Sequence, residues 1–289
     1  MKKLLTLLAV LLLAGGTAMA KNDKTLDVLP LMSSQSTQAN RLWVGTFQLV
    51  WNDLMDGIVK GPVKFEDYKS PLAKQLNKQK FKADQLSEDA YYKTYGETSP
   101  ELKAQIETAI KEKFNETSDV LDAIDWTPGP GKYLVYAMLK KDFKFLTAFD
   151  KLKPARFAHS LKKVDYFGID EKSDKMLDHT VNVLFYNSSK DFAVAVNTQG
   201  NDILYLYRTN DNKTFDKLYS DMFMKKVQYD GPSEFMSEDE FKVPNISLYS
   251  QKSFDELCNH KIKGTDIMIG QALETVDFKM DNEGVKLKS

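Results

Sequence analysis

A cluster of proline and glycine at residues 127–131 divides the sequence into two parts with different hydrophobic periodicity. Before this cluster, apolar side chains recur every three or four residues, as they do on one face of an α-helix. After it, runs of β-branched and aromatic residues alternate with short polar turns, as in antiparallel strands. Helices followed by strands predict an α+β fold, with a helical N-terminal half and a strand-rich C-terminal half.

The first strong helical pattern covers residues 38–59. Its apolar stripe is broad, which predicts a helix that is buried over much of its surface. Trp43, Phe47 and Trp51 are spaced by four residues, so we expect them to share one stripe and to anchor this helix in the core. The alternative is that the two tryptophans line a ligand pocket.

A second helix is predicted to begin near Pro100, after short helical pieces in residues 62–97. If Ser99 caps this helix, Pro100 takes the favoured first position. If Thr98 is the cap, Glu101 has the spacing of a capping box. The apolar stripe of the helix consists of Leu102, Ile106, Ile110 and Phe114.

The second half of the chain predicts a meander of three strands. Residues 181–186, 192–196 and 203–208 are rich in β-branched and aromatic side chains, and short polar turns separate them. We expect a last strand at 272–280. No internal repeat or low-complexity segment divides the chain, so we interpret residues 21–289 as a single α+β domain.

The first twenty residues have the organisation of a secretory signal peptide. Lys2 and Lys3 precede a leucine-rich run. Ala18-Met19-Ala20 then has the Ala-x-Ala pattern of a cleavage site. A retained N-terminal anchor is the alternative, but the apolar run is short for a membrane-spanning helix. The short basic start resembles bacterial signals. We therefore expect cleavage after residue 20 and a secreted or periplasmic protein, without a membrane anchor.

The charge balance argues against a nucleic-acid partner. The chain has 40 Lys and Arg against 41 Asp and Glu, a formal charge of −1. Removal of Lys2 and Lys3 with the signal peptide makes this charge −3. Proteins that bind nucleic acid normally carry a basic excess. We expect a monomer whose partner is a protease or another extracytoplasmic protein.

Motifs for catalysis, for a cofactor or for a metal are absent from the sequence. It contains no phosphate-binding loop, no dinucleotide fingerprint and no GxSxG turn. Cys258 is the single cysteine, and His260 is two residues away, a spacing that does not by itself make a catalytic dyad. His159 and His179 lie far from it and from each other. We predict a buried structural cysteine and a protein that is not an enzyme.

The C-terminal part of the sequence resembles the serpin superfamily. A strand at Phe241–Ile246 is followed by a short helical turn at Phe254–Leu257 and then by Gln271–Gly284, which ends in Asn-Glu-Gly. In serpins this order of elements leads into the reactive loop. The resemblance makes Glu283, Gly284 and Val285 candidates for the hinge of that loop.

The resemblance implies a mechanical activity against serine-type endopeptidases. A protease cleaves the exposed loop, and the loop inserts as a new strand into the large sheet. Insertion requires small residues after the hinge, but Val285 and Leu287 are bulky, and Lys286 and Lys288 carry charge on the other face. The given sequence ends at Ser289, before any bond that a protease would cleave.

Either the sequence is a truncated piece of a longer serpin-like protein, or the protein lacks the inhibitory machinery. We expect no inhibition from the chain as it stands, and a terminal segment that stays a frayed or edge-like extension, as chain ends often do. The alternative is a secreted binding or scaffold protein without catalytic activity and with an unrelated α+β fold. An enzyme of unknown type is a third hypothesis.

Overall fold

Fourteen strands of the described residues form four β-sheets. A computed structural model describes residues 9–12, 26–38, 40–118, 120–157, 162–236 and 238–289. The strands are β1 (Ala9–Leu12), β2 (Leu26–Leu29), β3 (Asn40–Trp43), β4 (Tyr91–Glu97), β5 (Tyr133–Lys144), β6 (Asp150–Arg156), β7 (Lys163–Ile169), β8 (Val181–Ser188), β9 (Asp191–Asn197), β10 (Ile203–Arg208), β11 (Phe241–Pro244), β12 (Ile246–Ser253), β13 (Leu273–Met280) and β14 (Gly284–Lys288).

The described residues form four α-helices, three of them in the first half of the chain. They are α1 (Thr46–Asp53), which continues into a π-helical segment at Leu54–Val59, α2 (Pro71–Leu76), α3 (Pro100–Phe114) and α4 (Phe215–Gln228). Short 3₁₀ turns lie at Ala83–Gln85, Glu88–Ala90, Leu121–Ala123, Lys175–Thr180 and Asp255–Leu257. The α+β class predicted from the sequence is confirmed. No helix among the described residues is long and apolar enough to cross a membrane.

The largest sheet has the strand order β12-β13-β14-β5-β4, and all its neighbouring strands are antiparallel. The helix α1 packs against β5, β4 and β13. The apolar stripe of α3 forms a second cluster with Tyr136 and Met138 of β5. Because side chains alternate along a strand, Ala137, Leu139 and Phe143 of β5 face the main core instead.

The remaining sheets are smaller. One has the order β10-β9-β8, one β11-β7-β6 and one β1-β3-β2. The first of these is the meander predicted from the sequence. In the last, β2 is parallel to β3 and β1 is antiparallel to it. The predicted signal peptide lies mostly outside the described residues, and its cleavage stays a prediction.

The prediction that the first helix begins at residue 38 is wrong, because α1 begins at Thr46. Asn40–Trp43 is the strand β3, and all four of its residues are buried. A short run of apolar residues fits either a helix or a strand that is buried on both faces. Pairing with β2 makes this segment a strand. Trp43 therefore lies in a sheet, whereas Phe47 and Trp51 lie on α1 in another cluster.

The second predicted helix is confirmed, and its cap is resolved. The Ser99 hydroxyl accepts the backbone N–H of Leu102 at 3.1 Å, and Pro100 takes the first helical position. Ile106, Ile110 and Phe114 are buried. The preceding segment is helical only in short pieces, and residues 91–97 form β4 because they pair along their whole length with β5.

Candidate functional site

The hinge candidates lie at the hairpin between β13 and β14. The backbone N–H of Asp281 donates to the carbonyl oxygen of Gly284 at 3.1 Å, and the N–H of Glu283 donates to Oδ1 of Asp281 at 2.9 Å. Glu283 is exposed, Gly284 begins β14, and Val285 is buried. The hairpin brings the three candidates together, and their role as a hinge stays a prediction.

The segment that begins at Gly284 is the strand β14, which lies in the middle of the largest sheet. Val285 lies between Met280 of β13 and Phe143 of β5. Val285 and Leu287 are each 2% exposed and belong to the main core. The expectation of a frayed terminal segment is therefore wrong. Burial of these two side chains and hydrogen bonding along both edges of the strand offset the entropy of ordering a chain end.

The backbone is also fixed at both ends of β14. The N–H of Phe145 donates to the carbonyl oxygen of Glu283 at 2.9 Å. At the other end, Leu139 and Ser289 exchange two backbone hydrogen bonds of 2.8 and 2.9 Å. Gly284 approaches β5 so closely that an added Cβ would lie 2.0 Å from the carbonyl oxygen of Phe143.

The lysines of β14 point away from the core. Lys286 is exposed. The Nζ atom of Lys288 lies 4.0 Å from Oε2 of Glu116, and the Nζ atom of Lys140 lies 2.9 Å from Oε1 of the same residue. The alternation of charged and apolar residues thus matches the two faces of the sheet, and no lysine of this strand enters the core.

A buried carboxyl group lies beyond the end of β14. Glu274 of β13 is 4% exposed, and its Oε1 atom accepts a hydrogen bond from the Ser289 hydroxyl at 3.2 Å. Burial raises the pKa of Glu274 to about 8, although hydrogen bonds from Ser289 and from the backbone N–H of Phe47 act in the opposite direction. Its Oε2 atom has no hydrogen-bond partner among the described residues.

Sequence reasoning missed Glu274. Side chains alternate between the two faces of β13, and this alternation places Glu274 on the same face as Val276, Phe278 and Met280. All four residues are buried. A glutamate in register with three core side chains is the pattern that would have revealed it.

A cavity of about 420 Å³ adjoins this carboxyl group. It lies between the first halves of β5 and β13, where β14 does not extend between them. The lining includes residues of α1 and of its π-helical segment, together with Ser118, Val120, Leu121, Ile124 and Asp125. Most of the lining is apolar. The hydroxyl of Thr46, which also lines the cavity, is buried and has no hydrogen-bond partner among the described residues.

Cys258 and His260 have separate partners in the structure. Cys258 is buried, and its thiol lies 3.8 Å from the carbonyl oxygen of Phe254. Burial raises the pKa of this thiol. Nδ1 of His260 lies 3.0 Å from Oδ2 of Asp67, and the imidazole ring stacks on the ring of Tyr68. The prediction of a buried cysteine is confirmed. Within the described part of the chain, no group of three His, Cys, Asp or Glu residues could hold a metal ion, and His159 lies outside that part.

Comparison with known proteins places the fold. No protein-family model matches the sequence. No curated protein matches it either. Among solved structures, a cleaved viral serpin, CrmA, aligns with a TM-score of 0.50 at 10% identity, over 83% of this chain and 97% of its own. Another structure of the viral serpin CrmA aligns with a TM-score of 0.50 at 9% identity, over 84% and 89%. This similarity confirms the resemblance to serpins that was noted in the C-terminal sequence. The alternative of an unrelated α+β fold is wrong, and the chain has a serpin-like fold.

Proposed function

We propose that this chain is an exported serpin-like protein that binds another protein without catalysis and does not inhibit proteases by loop insertion. The proposal combines the fold with the sequence pattern of a signal peptide. The partner is an extracytoplasmic protein, and a protease is one such partner. The slight acidic charge supports a protein rather than a nucleic acid as the partner.

The position of β14 carries the proposal. Loop insertion needs a position in the large sheet that opens to a new strand only after cleavage. Here β14, which begins at the hinge candidates Gly284 and Val285, already occupies the position between β13 and β5. Val285 and Leu287 are packed in the main core. Removing them from this position would expose both side chains, at about 1.5–3 kcal/mol each.

The experiment mixes the mature protein with a panel of serine and cysteine proteases. We expect cleavage or no effect, and no complex that survives denaturing electrophoresis. A covalent complex with any protease would contradict the proposal. An authentic inhibitory serpin run in parallel shows that the assay detects such complexes.

A separate experiment tests binding without inhibition. Catalytically inactive variants of the same proteases are immobilised, and the mature protein is passed over them. Saturable binding to one of them would identify a protease as the partner. If none is retained, affinity capture from periplasmic or culture-medium extract tests for another extracytoplasmic partner.

A further inference from the structure

The sheet β11-β7-β6 carries a concentration of positive charge at its β6 edge. Residues 151–164 contain five Lys and Arg and no Asp or Glu, in a chain whose formal charge is −1. Lys151, Lys153 and Arg156 of β6 are exposed, and so is Lys163 of β7. We call these four side chains the basic edge.

The positive charges of the basic edge are not neutralised within the described part of the chain. None of its four side chains forms an ion pair there, although Asp150 and Asp165 lie next to it in the sequence. At the other edge of the same sheet, by contrast, Lys242 is paired with Glu240 at 2.6 Å. The exposed Arg208 of β10 adds a further positive charge near Tyr166 of β7, because it opposes the rise that burial causes in the pKa of that tyrosine.

Two of these cations lie directly opposite each other. Arg156 and Lys163 are partners in the antiparallel pairing of β6 with β7. Side chains at such positions have Cβ atoms ~4.5–5.5 Å apart, and like charges there destabilise a sheet. An anion that contacts both side chains from outside would remove this repulsion.

Protection of an edge strand is the alternative explanation for charge at this place. Lysines and a proline, such as Pro154 of β6, keep an exposed edge from pairing with another chain. That role requires charge on β6 only. It does not call for Lys163 on β7, the central strand of this sheet, opposite another cation.

We propose that the basic edge binds an anionic phospholipid surface. Lys151 and Arg156 are separated by a strand length on the order of 15 Å, which is more than a single phosphate group can contact. A leaflet of anionic lipids presents many headgroups over this length. Pro154 and Ala155 are exposed between Lys153 and Arg156, and apolar groups of this kind fit the boundary between headgroups and acyl chains. A linear polyanion would gain nothing from them. Such contact is peripheral and needs no membrane-spanning segment.

The net charge of the chain gives this binding a direction. Because the whole chain is slightly acidic, an anionic surface does not attract it as a whole, and the basic edge is the part that such a surface attracts. Each Lys or Arg close to an anionic membrane contributes a factor of about five in affinity, which corresponds to ~1 kcal/mol.

The test is co-sedimentation of the mature protein with vesicles of equimolar phosphatidylglycerol and phosphatidylcholine. We expect binding to these vesicles in 0.1 M NaCl, none to vesicles of phosphatidylcholine alone, and release in 1 M NaCl, where the Debye length falls from ~10 to ~3 Å. R156Q/K163Q should bind about thirtyfold more weakly than the wild type. The matched control K74Q/K111Q removes two exposed lysines from α2 and α3 and should bind like the wild type.

Three results would overturn the proposal: no binding to the anionic vesicles, binding that persists in 1 M NaCl, or equal losses in the two double variants. Retention on immobilised dextran sulfate without vesicle binding would make the partner a linear polyanion and would equally contradict it.

Urea unfolding in 0.1 M NaCl accompanies the binding measurements. R156Q/K163Q should be no less stable than the wild type, because it removes a like-charge pair. A lower stability would contradict the repulsion on which the proposal rests. No protease takes part in these measurements, so their failure is distinct from failure of the proposed function.

Discussion

The hydroxyl of Ser289 donates a hydrogen bond of 3.2 Å to Oε1 of Glu274, and so joins the residue after β14 to the buried face of β13. The backbone N–H of Phe47, in the first turn of α1, donates to the same carboxyl group. One buried acidic side chain therefore connects two strands of the largest sheet with the helix packed beneath them. This connection holds β13, the residue after β14 and α1 together, so changes at Glu274 should affect stability.

The carboxyl group of Glu274 should make stability depend on pH. Its pKa is about 8 in the folded protein, against an ordinary value of 4.5. Between these values the unfolded chain has lost the proton that the folded chain keeps, so the free energy of unfolding falls as the pH rises, by about 1.4 kcal/mol per unit. This stability is fully present below pH 4.5 and is lost by about pH 8.

Urea unfolding of the wild type and of E274Q from pH 5 to pH 9 isolates this contribution, because all other groups titrate in both. As the pH rises to about 8, the free energy of unfolding of the wild type should fall relative to that of E274Q. Above about pH 8 the difference between the two proteins should stay constant. A difference that stays constant with pH would show that Glu274 is ionised in the fold.

Leu287 should contribute to stability as a core residue does. Its side chain is 2% exposed in the main core, so L287A should lower the free energy of unfolding by about 2–5 kcal/mol. The neighbouring Lys286 is exposed, so K286A should change the free energy of unfolding by less than about 0.5 kcal/mol. Chemical denaturation of both variants measures the contrast. Equal, small effects would mean that β14 is not inserted in solution.

Gly284 should not tolerate a larger side chain. A Cβ atom there would lie 2.0 Å from the carbonyl oxygen of Phe143, which is fixed by the sheet. We expect G284A to cost at least about 1–3 kcal/mol, the usual cost of overpacking. Gly61 has open space around the added atom, so G61A is the matched control. Thermal unfolding of both variants should separate them by several degrees.

Trp51 should be the main anchor of α1. It is 2% exposed, and its Nε1 donates to Oδ1 of Asn77 at 3.0 Å. W51A should cost about 3–5 kcal/mol, the range for large-to-small changes in a core. W51F keeps most of the ring volume and should cost less. If W51A lowered the free energy of unfolding by under about 1 kcal/mol, the indole would not be buried in solution.

Export should remove the first twenty residues. The basic start, the leucine-rich run and Ala18-Met19-Ala20 predict a mature protein that begins at Lys21. N-terminal sequencing or intact-mass analysis of protein expressed in a bacterial host with its own leader gives the answer directly. Replacement of Ala18 and Ala20 by bulky residues should block the cleavage. A soluble cytosolic product that retains residues 1–20 would contradict the prediction.

The sequence by itself determined the elements whose signals are local. Ser99 and Pro100 define the start of α3 because the capping hydroxyl and the proline ring act within one turn. The three strands of the meander follow from short polar turns between apolar runs. The order of elements near Gly284 was also enough to indicate the serpin-like fold.

Tertiary structure decided the features that depend on distant partners. Asn40–Trp43 became a strand because β2 pairs along it, and residues 284–288 became a central strand because β13 and β5 offer hydrogen bonds on both edges. The burial of Glu274, its contact with Ser289 and the cavity beside it need three segments that are far apart in sequence. Local periodicity specifies which side of a strand a residue occupies, whereas only the assembled fold decides what covers that side.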